Sequence, residues 1–289
     1  MSWRVVVISK RTKLEYKMDY LVVRDDQVVK IHLSEINTLI IESTAVSLTV
    51  MLLTKLQERK IKVIFCDNYR NPECELVPYY GCHNSTEKIR RQLSWDKEFK
   101  KAMWATIVRE KIKNQANLIK EIKEDSYQLL INYIGEVMPG DSSNREGLAA
   151  KVYFNTLFGS HYSRKHDSEI NAALNYGYTI LLSAINREIV CNGYLTQLGI
   201  CHDNIFNPFN FSSDLIEPLR PLIDKKTLSW GKYEKFKSEH KMELVNLLNE
   251  KVVIDNKSYY LHDALSIYCK SIFDTMEEED LSLVKFIEL

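Results

Sequence analysis

In the N-terminal part of the chain the apolar positions fall in short, β-branched runs. "WRVVVIS", "KLEYKMDYLVVRD", "QVVKIHLSEINTLIIES" and "KVIFCD" alternate in part between apolar and polar positions, with charged turns between them, and this predicts strands. One stretch differs: "AVSLTVMLLTKLQERK" repeats its apolar residues at helical spacing. "RNPECELVPYYGCHNST" carries proline, glycine and asparagine and predicts a connection. From Thr86 the period becomes helical almost to the end, through a long helix or two in "TEKIRRQLSWDKEFKKAMWATIVREKIKNQANLIKEI", then "GLAAKVYFNTLF", "EINAALNYGYTILLSAINREIV" and "KMELVNLLNE". The pattern predicts an α+β chain: a small N-terminal β-sandwich-like domain over 1–78, a linker over 79–87, and a larger all-helical domain over 88–289. It shows no internal repeat and no low-complexity tract.

Composition changes this picture little. With 289 residues, 45% hydrophobic and 27% charged, the chain can bury two ordinary cores. No window approaches the roughly 18 apolar residues of a membrane span, and the N-terminal apolar run is too short for a signal segment. Six cysteines in a chain of this length do not form a disulfide framework. A cytoplasmic protein with reduced thiols and no membrane partner is expected. Cys66, Cys74, Cys82 and His83 are spaced wrongly for a zinc ribbon, and no phosphate-binding or dinucleotide-binding glycine loop is present.

Charge matters locally. The net charge is zero, 39 basic against 39 acidic residues, yet Thr86 to Lys123 holds eleven Lys/Arg against five Asp/Glu, while "DTMEEEDLSL" is acidic. The basic stretch fits either a solvated helix face with paired charges or a surface for a polyanion.

Three places in the helical part carry chemistry. Glu146 shares a helical face with Ala149, Ala150 and Tyr153, although Ser143-x-x-Glu146 also fits a capping box. His202 follows the apolar "LTQLGI". In "SSDLIEPLRP" the acids Asp214 and Glu217 lie three residues apart, with Arg220 after them and prolines that disfavour an ordinary helix. Each acid alone fits a helix end, and the histidine alone fits a hydrogen-bonded structural residue. Together, two carboxylates and one imidazole suit Mg²⁺ or Mn²⁺ better than zinc.

"REGLAAKVYFNTLFG", "INAALNYGYTIL" and "LGICHDN…NPFNFSSDLIEPLRPLID", behind a β domain ending in "FCD", resemble the CRISPR-associated integrase-endonuclease of spacer acquisition, the first of the two universal CRISPR adaptation proteins. The compact length resembles the type II version. The resemblance implies a metal site of Glu146, His202 and Glu217, with glutamate where many relatives have aspartate. Asp214 would then stand behind the ligands or serve as an alternative one, and Tyr176 would match a tyrosine close to the site. Arg220 would hold a phosphate or orient Glu217.

It further implies double-stranded DNA as substrate, both a captured spacer duplex and a CRISPR repeat, joined by attack of a free 3′-hydroxyl on a phosphodiester, with hydrolysis as the side reaction of water. Arg90, Arg91 and Lys97 in the basic stretch would meet its phosphates. A homodimer through the β domains, a small ferredoxin-like adaptation partner, and in a type II system further adaptation proteins and the effector nuclease, complete the implied assembly. A structure-specific repair nuclease with the same ligands, or a non-catalytic DNA-binding scaffold whose acids are only caps, are the competing expectations.

Overall fold

The computed structural model describes residues 4–25, 27–77, 82–231 and 233–289. The N-terminal part is built from β1 (Arg4–Ile8), β2 (Lys13–Lys17), β3 (Tyr20–Arg24), β4 (Val28–His32), β5 (Ile36–Ile41), β6 (Ser47–Leu48), α1 (Val50–Glu58), β7 (Lys62–Cys66) and β8 (Pro72–Glu75). These strands make two four-stranded sheets, ordered β1-β5-β7-β8 and β4-β3-β2-β6. The expected helix from Ala45 is shorter than its apolar spacing suggests. Ser47 and Leu48 pair with Lys13 and Leu14 as an edge strand, and the Thr49 side chain then caps α1 by accepting from the backbone of Leu52.

Period two decides which way each strand faces. Val6, Ile8, Leu39, Ile41 and Val63 of the first sheet meet Leu14 and Leu21 of the second, with Leu52 and Leu56 of α1, in one buried cluster. Ile40 and Ile64, on the opposite pleat, join the core of the helical part. All six residues of β5 are buried, and its near-continuous apolar run is what a parallel strand covered on both faces requires. The first sheet is therefore a middle layer, with the second sheet on one side and helices on the other.

The helical part follows as α2 (Ser85–Ser94), α3 (Lys97–Ile119), α4 (Glu124–Glu136), α5 (Arg145–Phe158), α6 (Glu169–Cys191), α7 (Asn210–Ile216), α8 (Arg220–Ser229) and α9 (Ser238–Asn246), then β9 (Lys251–Ile254), β10 (Lys257–Tyr260), α10 (Leu261–Glu278) and β11 (Ile287–Glu288). Of the expected linker, residues 79–81 lie outside the described residues, and 85–87 are already the first turn of α2. Of the long helix or two expected after Thr86, the structure has two: the chain breaks at Trp95, where Asp96 Oδ1 accepts the Phe99 amide at 2.7 Å and starts α3.

This part is mostly helical, with one exception that periodicity missed. β9 pairs antiparallel with both β10 and β11. Asp255 and Asn256 both adopt positive φ between β9 and β10, the two-residue turn whose twist suits a hairpin. Helix α3 lies at the centre, packed against α4, α5 and α8. Its burial on most sides explains why its sequence lacks a clean apolar stripe. Among the described residues no helix is long and apolar enough to cross a membrane.

Candidate active site

Because α3 is central, a charge on it must be matched by its neighbours. Lys111 is buried there, and its Nζ donates to Glu146 Oε1 at 2.6 Å and to Glu217 Oε2. Glu217 Oε1 accepts in turn from Arg220 Nε at 2.9 Å, and the Arg220 guanidinium lies 4.5 Å from the centre of the Tyr178 ring. Burial alone would push the Glu217 carboxyl up, but the Lys111 and Arg220 cations outweigh it and hold its pKa at about 2. The same two glutamates, against the opposing effect of burial, raise the pKa of Lys111.

Glu146 reaches Lys111 because it is not needed as a cap. The backbone amides of Arg145 and Glu146 donate to Asp141 Oδ1 and Oδ2 at 2.8 and 3.0 Å, while Ser143 Oγ donates to the Glu136 carbonyl at 2.9 Å. The start of α5 is thus satisfied by Asp141, and the capping box over Ser143 and Glu146 does not form.

The proline-interrupted run places Glu217. Helix α7 passes through a 3₁₀ turn over Glu217–Leu219 and straight into α8. The freed carbonyl of Pro218 accepts from Asn114 Nδ2 of α3 at 2.9 Å, which fastens the turn beside Lys111. Asp214, one turn earlier, points elsewhere.

Asp214 is fully buried and spends its carboxylate on the loop that carries His202. Its Oδ2 accepts the amides of Ile200 and Cys201 at 2.5 and 3.1 Å; its Oδ1 accepts the amide of His202 at 3.0 Å and meets the imidazole Nδ1 at 2.7 Å. A carboxylate only accepts, so Nδ1 carries the proton and Nε2 keeps its lone pair. Asp214 therefore stands behind His202, orienting it, and the hydrogen bond is the main cause that raises the imidazole pKa. Trp104 of α3 meets the ring edge-on at 5.6 Å. Gly199 makes the turn possible, since a Cβ there would come within 2.3 Å of the His202 carbonyl and 2.7 Å of Asp214 Oδ2.

Tyr176 is not brought to this cluster. Its ring packs against Phe236 at 5.7 Å and under Lys241 at 5.1 Å, and its buried hydroxyl has no hydrogen-bond partner among the described residues. Residues 176 and 178 lie on different sides of α6, and it is Tyr178 that faces Arg220. Tyr178 and Tyr153 both donate to Asp224, Tyr153 at 2.7 Å. Burial pushes the Asp224 carboxyl up to about 6 even though those hydroxyls oppose it.

The basic stretch divides. Arg91 is bound to Glu87 and to Glu277, Lys88 to Glu277, and Lys113 to Glu110. The acidic C-terminal run thus ties down α2. Arg90 and Lys97 are exposed, and Lys97, Lys100 and Lys101 line a groove with Trp104 and His202. Cys201 borders the same groove, but burial, with Asp214 and Glu146 nearby, pushes its thiol up to about 11, which makes it a poor nucleophile. The six cysteines are free.

The sequence pointed to Glu146, Glu217 and His202, and the structure adds to them Lys111, Trp104, Tyr178 and Asp224, which the sequence did not single out. Lys111 was hidden inside a basic run. The one signal was its place on α3 three and four residues after apolar Val108 and Ile107, where an exposed lysine would not sit.

The donor set can be tested against a divalent cation. Two carboxylate oxygens already converge on one positive centre, the Lys111 ammonium, and the imidazole beside them is held from behind by a carboxylate, as ligating histidines usually are. Among the described residues no group of three or more His, Cys, Asp or Glu side chains closes around a metal position as the chain lies here. The hard oxygens fit Mg²⁺ or Mn²⁺, in competition with the ammonium between them.

Comparison with known proteins identifies the family. A family model described as CRISPR associated protein Cas1 matches residues 5–252. A CRISPR-associated endonuclease Cas1 of Neisseria meningitidis serogroup C (strain 8013) is 31% identical over 295 residues, covering 100% of this chain and 97% of the relative. Among solved structures, the chain resembles a casposase bound to integration product, with a TM-score of 0.74 at 17% identity over 98% of this chain and 93% of that one. It also resembles a chain of a Cas6-RT-Cas1–Cas2 complex, with a TM-score of 0.75 at 20% identity over 99% of this chain and 36% of that one. Two sheets backed by a central buried helix, with a match spanning the whole chain, place the protein in the CRISPR associated protein Cas1 family, the integrase-endonucleases of spacer acquisition.

Proposed function

We propose that Glu146, Glu217 and Nε2 of His202 hold a single Mg²⁺ or Mn²⁺, and that this site joins the free 3′-hydroxyl of a captured duplex to a phosphodiester at the end of a CRISPR repeat. The observation that carries the reading is the meeting of Glu146 and Glu217 on one buried cation, Lys111, beside an imidazole whose other nitrogen is already committed to Asp214. The metal-dependent nuclease chemistry of the family needs oxygen donors for its cation. When bound, the cation supplies Lewis acidity at the scissile phosphate and offsets charge on its oxygens.

The chain's own residues do the rest. Asp214 fixes the imidazole so that Nε2 faces the groove. Arg220 orients Glu217 rather than standing free for a phosphate, because its Nε is bonded to that carboxylate and its face rests on Tyr178. Lys111 keeps the two glutamates at a common focus, so that a divalent cation replaces one charge with two rather than gathering scattered acids. Lys97, Lys100 and Lys101 lead the DNA backbone along the groove to His202, and exposed Arg90 on α2 adds a further phosphate contact. Arg91, already paired, contributes little.

One such site makes one joint, and a duplex has two ends. The chain therefore works as a homodimer with paired sites, joined through the β domains (1–78) rather than the helical domain (88–289), in company with the small ferredoxin-like adaptation partner and, in a type II system, with the further adaptation proteins and the effector nuclease.

The test is a joining assay on supercoiled plasmid carrying a repeat, with a labelled 3′-hydroxyl duplex and Mn²⁺. Glu146→Ala, His202→Ala and Glu217→Ala each abolish joined product while the far-ultraviolet circular dichroism stays that of the parent. If two of the three kept near-parent joining, the ligand assignment would be wrong.

A further inference from the structure

Three residues beyond His202 the chain turns outward. Ile205 and Phe206 are 88% and 87% exposed, the most exposed large hydrophobic side chains among the described residues. Single exposed apolar residues are common and need no explanation. Two in succession at a loop tip, with almost all of both side chains in water, are not explained by packing within this chain.

The tip is also rigid. The Phe206 amide donates to Asn204 Oδ1 at 2.9 Å, and the Phe209 amide to Asn207 Oδ1 at 2.9 Å. Asn210 Nδ2 donates to the carbonyls of Asn204 and Gln197 at 3.0 and 3.1 Å, and Thr196 Oγ1 to the Pro208 carbonyl at 2.8 Å. A loop left to wander would not need its turns closed at both ends by asparagine side chains. This one holds two apolar side chains outward beside the groove.

Location identifies the occupant. Asp203 lines both the concavity beneath the tip and the groove that holds Lys97, Lys100, Lys101 and His202, so the two surfaces are continuous. Three cations against that one acid suit a phosphate backbone, and the tip borders the same groove. The geometry points to Ile205 and Phe206 as a wedge that enters the base stack of the target DNA next to the joint, unstacking one step so that the scissile phosphate is turned toward His202. Apolar side chains inserted between bases are a general means of kinking a duplex, and an aromatic ring also gives an unstacked base a new surface. The wedge rests on the reading of the basic groove as the DNA path.

The experiment uses the full chain and a branched duplex with 2-aminopurine beside the branch point, in EDTA so that no strand is cut or joined. Stacking quenches 2-aminopurine, so unstacking brightens it. Wild type is expected to brighten the probe, and Ile205→Ser/Phe206→Ser to abolish that rise and weaken binding on the order of tenfold, with an unchanged melting temperature because both side chains are exposed. Lys97→Glu/Lys100→Glu is expected to weaken binding to this probe and to a plain duplex alike. If the lysine variant loses binding while the loop variant brightens the probe as wild type does, or wild type gives no rise, the wedge is overturned alone, and the tip belongs to a protein contact. If the lysine variant binds both DNAs as wild type does, the groove reading falls and the wedge with it.

Discussion

Among the described residues two lysines, Lys62 and Lys111, are buried against glutamates, and they behave in opposite ways. Lys62, on β7, meets Glu75 of β8 where the middle sheet packs on α6, and Ser183 of α6 donates to the same Glu75 oxygen at 2.8 Å. Burial lowers the Lys62 pKa, because one partner does not make up for the water it has lost. Lys111 is buried as deeply, yet its pKa is raised, because Glu217 and Glu146 together outweigh the burial. One acid per lysine makes a latch between layers of the fold. Two acids on one lysine, with Arg220 balancing the second charge at Glu217, bring two carboxylates to a single cation, an arrangement that the Lys62 latch lacks.

Removing the lysines should break the comparison most visibly. Lys111→Met leaves buried Glu217, still paired with Arg220, facing half-buried Glu146 without their shared cation, and in metal-free buffer it should cost about 3–5 kcal/mol of stability. Mn²⁺ should then raise the melting temperature of this variant by more than it raises that of wild type, since the ammonium no longer competes. Lys62→Met should also destabilise, but Mn²⁺ should give it no gain beyond that of wild type. Differential scanning calorimetry with and without Mn²⁺ reads both, and equal metal responses would mean that the two clusters are alike.

Protonation sharpens the contrast on the histidine side. The His202 pKa is raised, first by its hydrogen bond to Asp214. A protonated imidazole has no lone pair for a cation, so joining should fail as pH falls through that raised pKa, above the ordinary 6.5 of the group. Asp214→Asn removes the main cause of the rise. The acid limb of the joining profile should therefore move to lower pH, even though maximal activity drops as the loop loses its anchor. An acid limb that stays in place would assign it to another group.

The smallest effect concerns the basic stretch. Lys97→Glu should flatten the salt dependence of duplex binding by roughly one unit of slope per lost phosphate contact. Arg91→Glu, whose parent side chain is held by Glu87 and Glu277, should leave the slope near that of wild type. A filter-binding series in NaCl distinguishes them.

Much of this molecule was legible in its sequence, for reasons that local chemistry supplies. Strand runs such as "VVVI" and "NTLII" declare themselves by β-branching, and Glu146, His202 and Glu217 stand out because acids and imidazoles beside apolar residues demand partners. What was not legible depends on long-range contact. Nothing near Lys111 in sequence announces that residues 35 and 106 positions away will meet its Nζ. Spacing alone left Ser143 and Glu146 as a capping box, and only the fold shows Asp141 taking that place. Tyr176 and Tyr178 read alike in "NYGY", and the side of α6 each occupies separates them. The hairpin over β9 and β10 had a local signal, Asp255-Asn256 between apolar runs, which the surrounding helical pattern masked.

The central claim is that Glu146 gives its charge to a cation and not to a helix end. Glu146→Gln keeps the volume and removes that charge. The measurement that tests it most directly is the melting temperature of the glutamine variant across a Mn²⁺ titration, set beside its joining activity. The account predicts a melting temperature within a few degrees of wild type in metal-free buffer, where Asp141 still caps α5 and Lys111 still holds Glu217. It predicts no Mn²⁺-induced rise and no joined product. A glutamine variant that is stabilised by Mn²⁺ as wild type is, and that joins DNA at full rate, would contradict it.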